Sequence, residues 1–181
     1  DVDVAISSDA VRLDPARWVG FWSALVHAIR NAVDHGVESA DERAAQGKTA
    51  RGRVELASFV RDDQFVVEIS DDGRGIDWEV VRAKATARNL PAQSSEHLVE
   101  ALFADGLTTK AEASDTSGRG IGMSALRAAC EAAGGRIVVA SERGQGTRMQ
   151  FRFPAEVIHA HELLRQSQRL RRITSSPVAT A

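Results

Sequence analysis

The hydrophobic period of this chain changes several times, and the order of those changes constrains the fold more than any single motif. DVDVAIS, at residues 1 to 7, alternates as a strand does. From about Asp14 to Gly36 the period lengthens to that of one long helix, with Trp22, Leu25, Val26, Ile29 and Val33 as its apolar stripe. Asp14 and Pro15 supply the cap and first turn. ESADERAAQGKTARG, polar and rich in small residues, predicts a short helix and a loop. The strand period returns in RVELASFV and QFVVEIS, which the turn-like RDD joins. WEVVRAKATARNL predicts a helix, Pro91 to Ser95 a break, and HLVEALFADG a further short helix. LTTKAEASDTSGRG has hardly an apolar residue and is expected to be a mobile loop. A helix over MSALRAACEAAG follows, then two strands, GRIVVASE and TRMQFRFP, flanking GQG in a hairpin. Past Pro154 the composition shifts. AEVIHAHELLRQSQRLRR predicts a basic amphipathic helix and ITSSPVATA a disordered tail, so the expected division is a domain over 1–154 and an appendage over 155–181.

Charge narrows the partners. Twenty-three basic and 25 acidic residues, interspersed, leave a net charge of -2, which gives no electrostatic reason to expect nucleic acid or an anionic membrane. No apolar run approaches the roughly 20 residues of a membrane span. The first ten residues lack the basic start and apolar core of a signal peptide. The lone Cys130 excludes an internal disulfide, and its small-residue surroundings predict a buried structural thiol. A reducing, cytoplasmic setting is the natural expectation.

Three stretches carry chemistry. In HAIRNAVDHGVE, at about 100° per residue, His27, Arg30, Asn31, Asp34 and His35 fall on one polar stripe. His27 and His35 lie about 12 Å apart along a helix and cannot share a zinc ion. Asn31 instead offers a neutral carbonyl oxygen, a fitting protein ligand for magnesium already held by phosphates. DDGRGID follows a strand directly, and Asp71 can accept a hydrogen bond from an exocyclic amine while the glycines let the backbone approach closely. SGRGIGMSAL puts Gly118, Gly120 and Gly122 just before a helix, where free NH groups and the helix N-terminus form an anion cradle. Met123 occupies the last glycine position of the dinucleotide fingerprint, so this is not that motif. QGKT is no P-loop, because Glu42 stands where its first glycine must be.

In this order and spacing the stretches resemble the ATP-binding domain of the GHKL superfamily, specifically that of CheA-type chemotaxis histidine kinases. HAIRNAVDHGVE is similar to its N box, DDGRGID to its first glycine box, LFADGLTTK to the segment leading into its lid, SGRGIGM to its second glycine box and GQGT to its last. The likeness covers about residues 2 to 154. It implies a two-layer α/β sandwich of the Bergerat type: a mixed, mostly antiparallel sheet with helices on one face and a mobile ATP lid. It assigns Asn31 to magnesium and His27, Asp34 and His35 to the nucleotide. Asp71 takes the adenine amine, with Gly73 and Gly75 shaping that pocket and Thr147 nearby. Thr108, Thr109 and Lys110 become phosphate contacts, and Gly118, Gly120, Gly122 and Met123 line the phosphates. The catalytic set it implies is Asn31, His27 and Lys110. Two departures stand out. Val80 occupies the place of a frequent lysine, with Lys84 a turn later, and ADGLTTK lacks the usual proline and aromatic around its glycine.

The resemblance also sets the reaction. ATP-hydrolysing relatives carry a water-activating glutamate four residues before the asparagine, where this chain has His27. Transfer of the γ-phosphate to a protein histidine is therefore expected, with positioning and charge neutralisation as the catalytic means. The acceptor would be a histidine phosphotransfer domain, in cis or in trans, with a response regulator downstream and coupling or receptor proteins upstream. His159 and His161 are expected in surface or packing roles. The competing readings are a non-catalytic, nucleotide-gated binding module and a serine kinase of the anti-sigma type.

Overall fold

The computed structural model describes residues 1–104 and 123–158; the expected lid loop and the tail lie outside the described residues. Among the described residues, five strands form one sheet in the order β1-β2-β3-β5-β4. They are β1 (Val2–Ser8), β2 (Gly52–Arg61), β3 (Gln64–Asp71), β4 (Arg136–Glu142) and β5 (Gly146–Pro154). Only the β1–β2 pair is parallel. That pairing needs a long crossover, which α1 (Pro15–Asn31) and α2 (Ala40–Ala45) supply. α3 (Trp78–Ala87), α4 (Ser95–Leu102) and α5 (Met123–Ala132) complete the helices among the described residues. The mixed, mostly antiparallel sheet agrees with the expected fold.

Residue alternation explains the layering. Cross-strand partners Phe65 and Phe153, Val67 and Phe151, and Ile69 and Met149 share one face and are all buried. Trp18 of α1 packs edge-on against Phe65 and Phe153, with ring centroids 5.5 and 4.5 Å away. The opposite face carries Glu68, Arg148, Gln150 and Arg152, where Gln150 donates to Glu68 and Arg152 to Gln150. The RDD turn reverses the chain through Asp62 and Asp63, both at positive φ (50° and 54°). That is the twist a tight hairpin requires, and aspartate tolerates it better than most residues.

The structure corrects three expectations. First, α1 buries Trp18, Phe21, Ala24, Leu25 and Ala28, while Trp22 and Val26 are exposed. The buried stripe is thus rotated by roughly a quarter turn from the predicted one. Two large rings beside two alanines let the helix approach the sheet closely, and this outweighs the count of branched residues. Second, the helix does not run regularly to Gly36. It ends at Asn31 and gives way to a single wide π-turn, Ala32–Gly36, closed by Val37 N–H donating to the Ala32 carbonyl at 3.2 Å. Third, Ala155–Val157 form a 3-10 turn rather than the start of an amphipathic helix. Val157 and Ile158 are buried in the core, so the packed body extends past Pro154.

Cys130 is buried as expected, and burial pushes its thiol up to about 12, which leaves it unreactive at neutral pH. No described helix is long and apolar enough to cross a membrane.

Candidate nucleotide site

One wall of the site is the end of α1 and the π-turn. Asp14 caps the helix start by accepting from Ala16 N–H at 3.0 Å, and the far end delivers His27 half-buried and Asn31 exposed. The predicted polar stripe holds from His27 to Asn31. Beyond it the π-turn advances each residue by less than an α-helix does, so Asp34, which is exposed, lies off that line; His35 belongs to the same turn. The same wide turn aims the Gly36 carbonyl at the first glycine box. Arg74 N–H donates to it at 2.8 Å. A Cβ on Gly73 would lie 2.0 Å from the same oxygen, so only glycine allows the two main chains to meet here.

Asp71 stands at the junction. It ends β3, opposite Thr147 on β5. Its Oδ1 accepts from Gly73 N–H at 3.0 Å, and the Thr147 backbone also hydrogen-bonds its carboxyl. Burial pushes the carboxyl above the ordinary aspartate value, and those two hydrogen bonds only partly oppose it. Its side chain lies 3.6 Å from where a Cβ on Gly36 would stand. On the other side Gly146, at φ +95°, passes so close that a Cβ there would sit 1.9 Å from the Asp71 carbonyl oxygen. Ser141 ties these pieces together: its Oγ accepts from Ile76 N–H at 2.8 Å, donates to the Gly146 carbonyl at 2.9 Å and lies 3.0 Å from Thr147 Oγ1. Gly75 sits at positive φ against the Glu142 carbonyl.

The structure therefore brings Asp71, Gly73, Gly75 and Thr147 together with the end of the N box. Lys84 lies half-buried in the last turn of α3, and Met123 opens α5, packed partly on the core. Thr108, Thr109, Lys110, Gly118, Gly120 and Gly122 lie outside the described residues. Among the described residues no group of three His, Cys, Asp or Glu side chains could hold a metal ion. A magnesium ion at exposed Asn31 would thus take one neutral protein oxygen and draw its other ligands from phosphate and water, a set that fits the ion.

Four residues of the site escaped the sequence reading: Glu38, Arg43, Lys48 and Asp72. The side chains of Glu38 and Arg43 are almost wholly buried and paired at 3.1 Å, Arg43 also pairs Asp72 at 2.8 Å, and Lys48 pairs Glu38 at 2.8 Å. Nothing local distinguishes them, because charged residues in a polar stretch are usually solvated. Their burial depends on β3 returning beside the loop after α2.

Comparison with known proteins matches residues 22–157 to the family described as Histidine kinase-, DNA gyrase B-, and HSP90-like ATPase. The chain belongs to that family. Membership implies a site for ATP. The chain is 37% identical over 160 residues to the gliding motility regulatory protein of Myxococcus xanthus, covering 85% of this chain and 21% of that protein. It is 42% identical over 134 residues to the chemotaxis protein CheA of Rhizobium meliloti, covering 72% and 18% respectively. It thus spans about a fifth of the length of these relatives. Its fold is similar to that of part of a blue-light activated histidine kinase of Erythrobacter litoralis, at a TM-score of 0.51 and 19% identity over 85% of this chain and 35% of that one.

Proposed function

We propose that this domain is the phosphoryl donor of a CheA-like histidine kinase, binding ATP and passing its γ-phosphate to a histidine of a phosphotransfer domain elsewhere in the same protein or on a partner. His27 carries the reading. It is half-buried one turn before Asn31, at the place where the hydrolytic relatives keep a glutamate, so water has no carboxylate there to activate it. Asp71 reads the adenine amine, with Gly73, Gly75 and Thr147 shaping the pocket. Asn31, with the nucleotide's phosphates, holds magnesium, which supplies neutralisation of phosphate charge. His27, Asp34 and His35 contact the nucleotide. Lys110, Thr108 and Thr109, with Gly118, Gly120, Gly122 and Met123, enclose the phosphates, and Lys84 stands in for the cation absent at Val80.

In the transfer, an imidazole nitrogen of the acceptor attacks the γ-phosphorus as the bond to the β-bridging oxygen breaks. ADP leaves and the imidazole proton goes to solvent. The domain's contribution is alignment and charge neutralisation. A response regulator would take the phosphoryl group next, and the cytoplasm is the proposed setting.

Incubation with labelled ATP, magnesium and a cognate phosphotransfer domain should give acid-labile label on that domain. Intact ATP binding without any label would leave a nucleotide-gated binding module as the better reading, and acid-stable phosphoserine on a partner would identify a serine kinase. Asn31→Asp is expected to abolish transfer while ATP binding without magnesium persists; transfer at the unaltered rate would remove Asn31 from the mechanism.

A further inference from the structure

Lys48 and Arg43 both reach the turn at Asp72 and Gly73, and Glu38 joins them. Lys48 Nζ donates to the Asp72 carbonyl at 2.9 Å, the Gly73 carbonyl at 2.8 Å and Glu38 Oε1 at 2.8 Å, which uses all three of its donors. Arg43 donates to Asp72 Oδ2 at 2.8 Å, to the Asp72 carbonyl at 3.3 Å, to Glu38 Oε2 at 3.1 Å and to the Thr49 carbonyl at 2.7 Å. Asp72 Oδ1 also accepts from Arg53 N–H at 2.8 Å. Two cations and two carboxylates thus close on each other, and the main chain they seize is that of Asp72 and Gly73. Glu38 and Arg43 are buried while Lys48 and Asp72 stay partly exposed, and burying charges is a poor route to stability as such, since desolvation cancels most of the attraction. What the arrangement supplies is a fixed direction for two consecutive peptide groups.

Those peptides set the orientation of Asp71. Gly73 N–H is the donor to Asp71 Oδ1, and the next amide, Arg74 N–H, is locked on the Gly36 carbonyl. A carboxylate discriminates a 6-amino from a 6-oxo purine only if it is held still. The amine donates to it, whereas a carbonyl in the same place repels it, and a rotated or displaced carboxylate admits a bridging water that satisfies either base.

The geometry points to Arg43 and Lys48, joined through Glu38, as positioning residues that set the site's preference for adenine over guanine nucleotides by fixing the Asp72–Gly73 main chain behind Asp71. This rests on Asp71 being the adenine reader. The test is calorimetric titration of the whole chain with ATP and with GTP. Lys48→Met keeps the length of the stem and removes all three donors. It should weaken ATP binding about tenfold, the loss expected when a reading group is displaced rather than deleted, and leave GTP nearly unaffected. Lys48→Arg should recover most of the selectivity. In an Asp71→Asn background, Lys48→Met should lower selectivity no further, because the effect passes through Asp71. Equal weakening of ATP and GTP, unchanged selectivity in Lys48→Met, or an additive loss in the double variant would each overturn the proposal. Should the methionine variant not fold, Lys48→Gln, which keeps two donors without the charge, reports the same ratio. Full ATP selectivity in Asp71→Asn alone would show instead that the adenine reader lies elsewhere, and lack of phosphotransfer with selectivity intact would count against the kinase reading only.

Discussion

Asp71 has a carboxyl that the fold makes reluctant to ionise, and this has two opposite consequences. Its folded pKa is raised by burial, so at neutral pH the charge opposes folding, and the opposition fades as pH falls through the raised value. Asp71→Asn should therefore leave the thermal midpoint of the nucleotide-free protein unchanged or higher, while ATP affinity drops by about 10- to 100-fold, as for a lost hydrogen bond to a charged group. Adenosine, whose phosphate-free form removes other titrations, should lose affinity on acidification at a higher pH than an ordinary aspartate would dictate; an affinity flat down to pH 4 would exclude the role. Gly73 is a residue of a different kind. A Cβ there would meet main chain at 2.0 Å, which no side-chain movement can relieve, so Gly73→Ala should cost about 1–3 kcal/mol in urea denaturation and weaken ATP binding with it. Asp71 and Gly73 were both visible in the sequence, because a carboxylate at a strand end and spaced glycines leave a local signal. Arg43 and Lys48 were not, because the Asp72–Gly73 segment that they hold lies 24 to 29 positions away in the chain.

Helix boundaries decide how these residues meet. α2 is only Ala40–Ala45, yet it starts with a complete capping box: Ser39 Oγ accepts from Glu42 N–H at 3.3 Å and Glu42 Oε2 accepts from Ser39 N–H at 2.9 Å. So short a helix has little stability of its own. Ser39→Ala should cost about 1 kcal/mol in thermal denaturation and, because α2 carries Arg43, should raise the KM for ATP while kcat at saturation stays near the starting value. A variant with unchanged KM would separate the cap from the site. In α1 the predicted cap at Asp14 is where the sequence placed it, since capping depends on neighbours within a turn. The π-turn after Asn31 was not legible, because it exists to bring the Gly36 carbonyl to Arg74 and Gly73, contacts that form only once β3 is in place. The buried stripe of α1 shows the same limit: period alone marks a helix, but which of two apolar flanks faces the sheet depends on the rings of Phe65, Phe151 and Phe153 already standing there.

Across the whole molecule, the ion cluster links the crossover after α1 to the strand end at Asp72, and its charge states tie stability to pH. Burial alone would raise the carboxyls of Asp72 and Glu38, but Arg43 and Lys48 hold both below their ordinary values. A depressed carboxylate contributes stability that is present above the unfolded-state pKa and is lost as pH falls through the folded value. The protein should keep its fold through the ordinary carboxylate range and unfold below it, and Lys48→Met should move the acid midpoint, followed by circular dichroism, to higher pH. Added salt should affect this little, since the pairs are mostly shielded from solvent. An unshifted acid midpoint would mean that the cluster contributes only geometry. Among the described residues, the strand and helix order, the two tight turns, the helix cap and the close backbone approach at the first glycine box were legible in the chain itself, because each is governed by residues within a few positions of one another. The rotation of α1, the π-turn, the core reaching Ile158 and the four-charge clamp behind Asp71 belong to the tertiary structure alone, because each exists only where segments distant in sequence exclude water from between them.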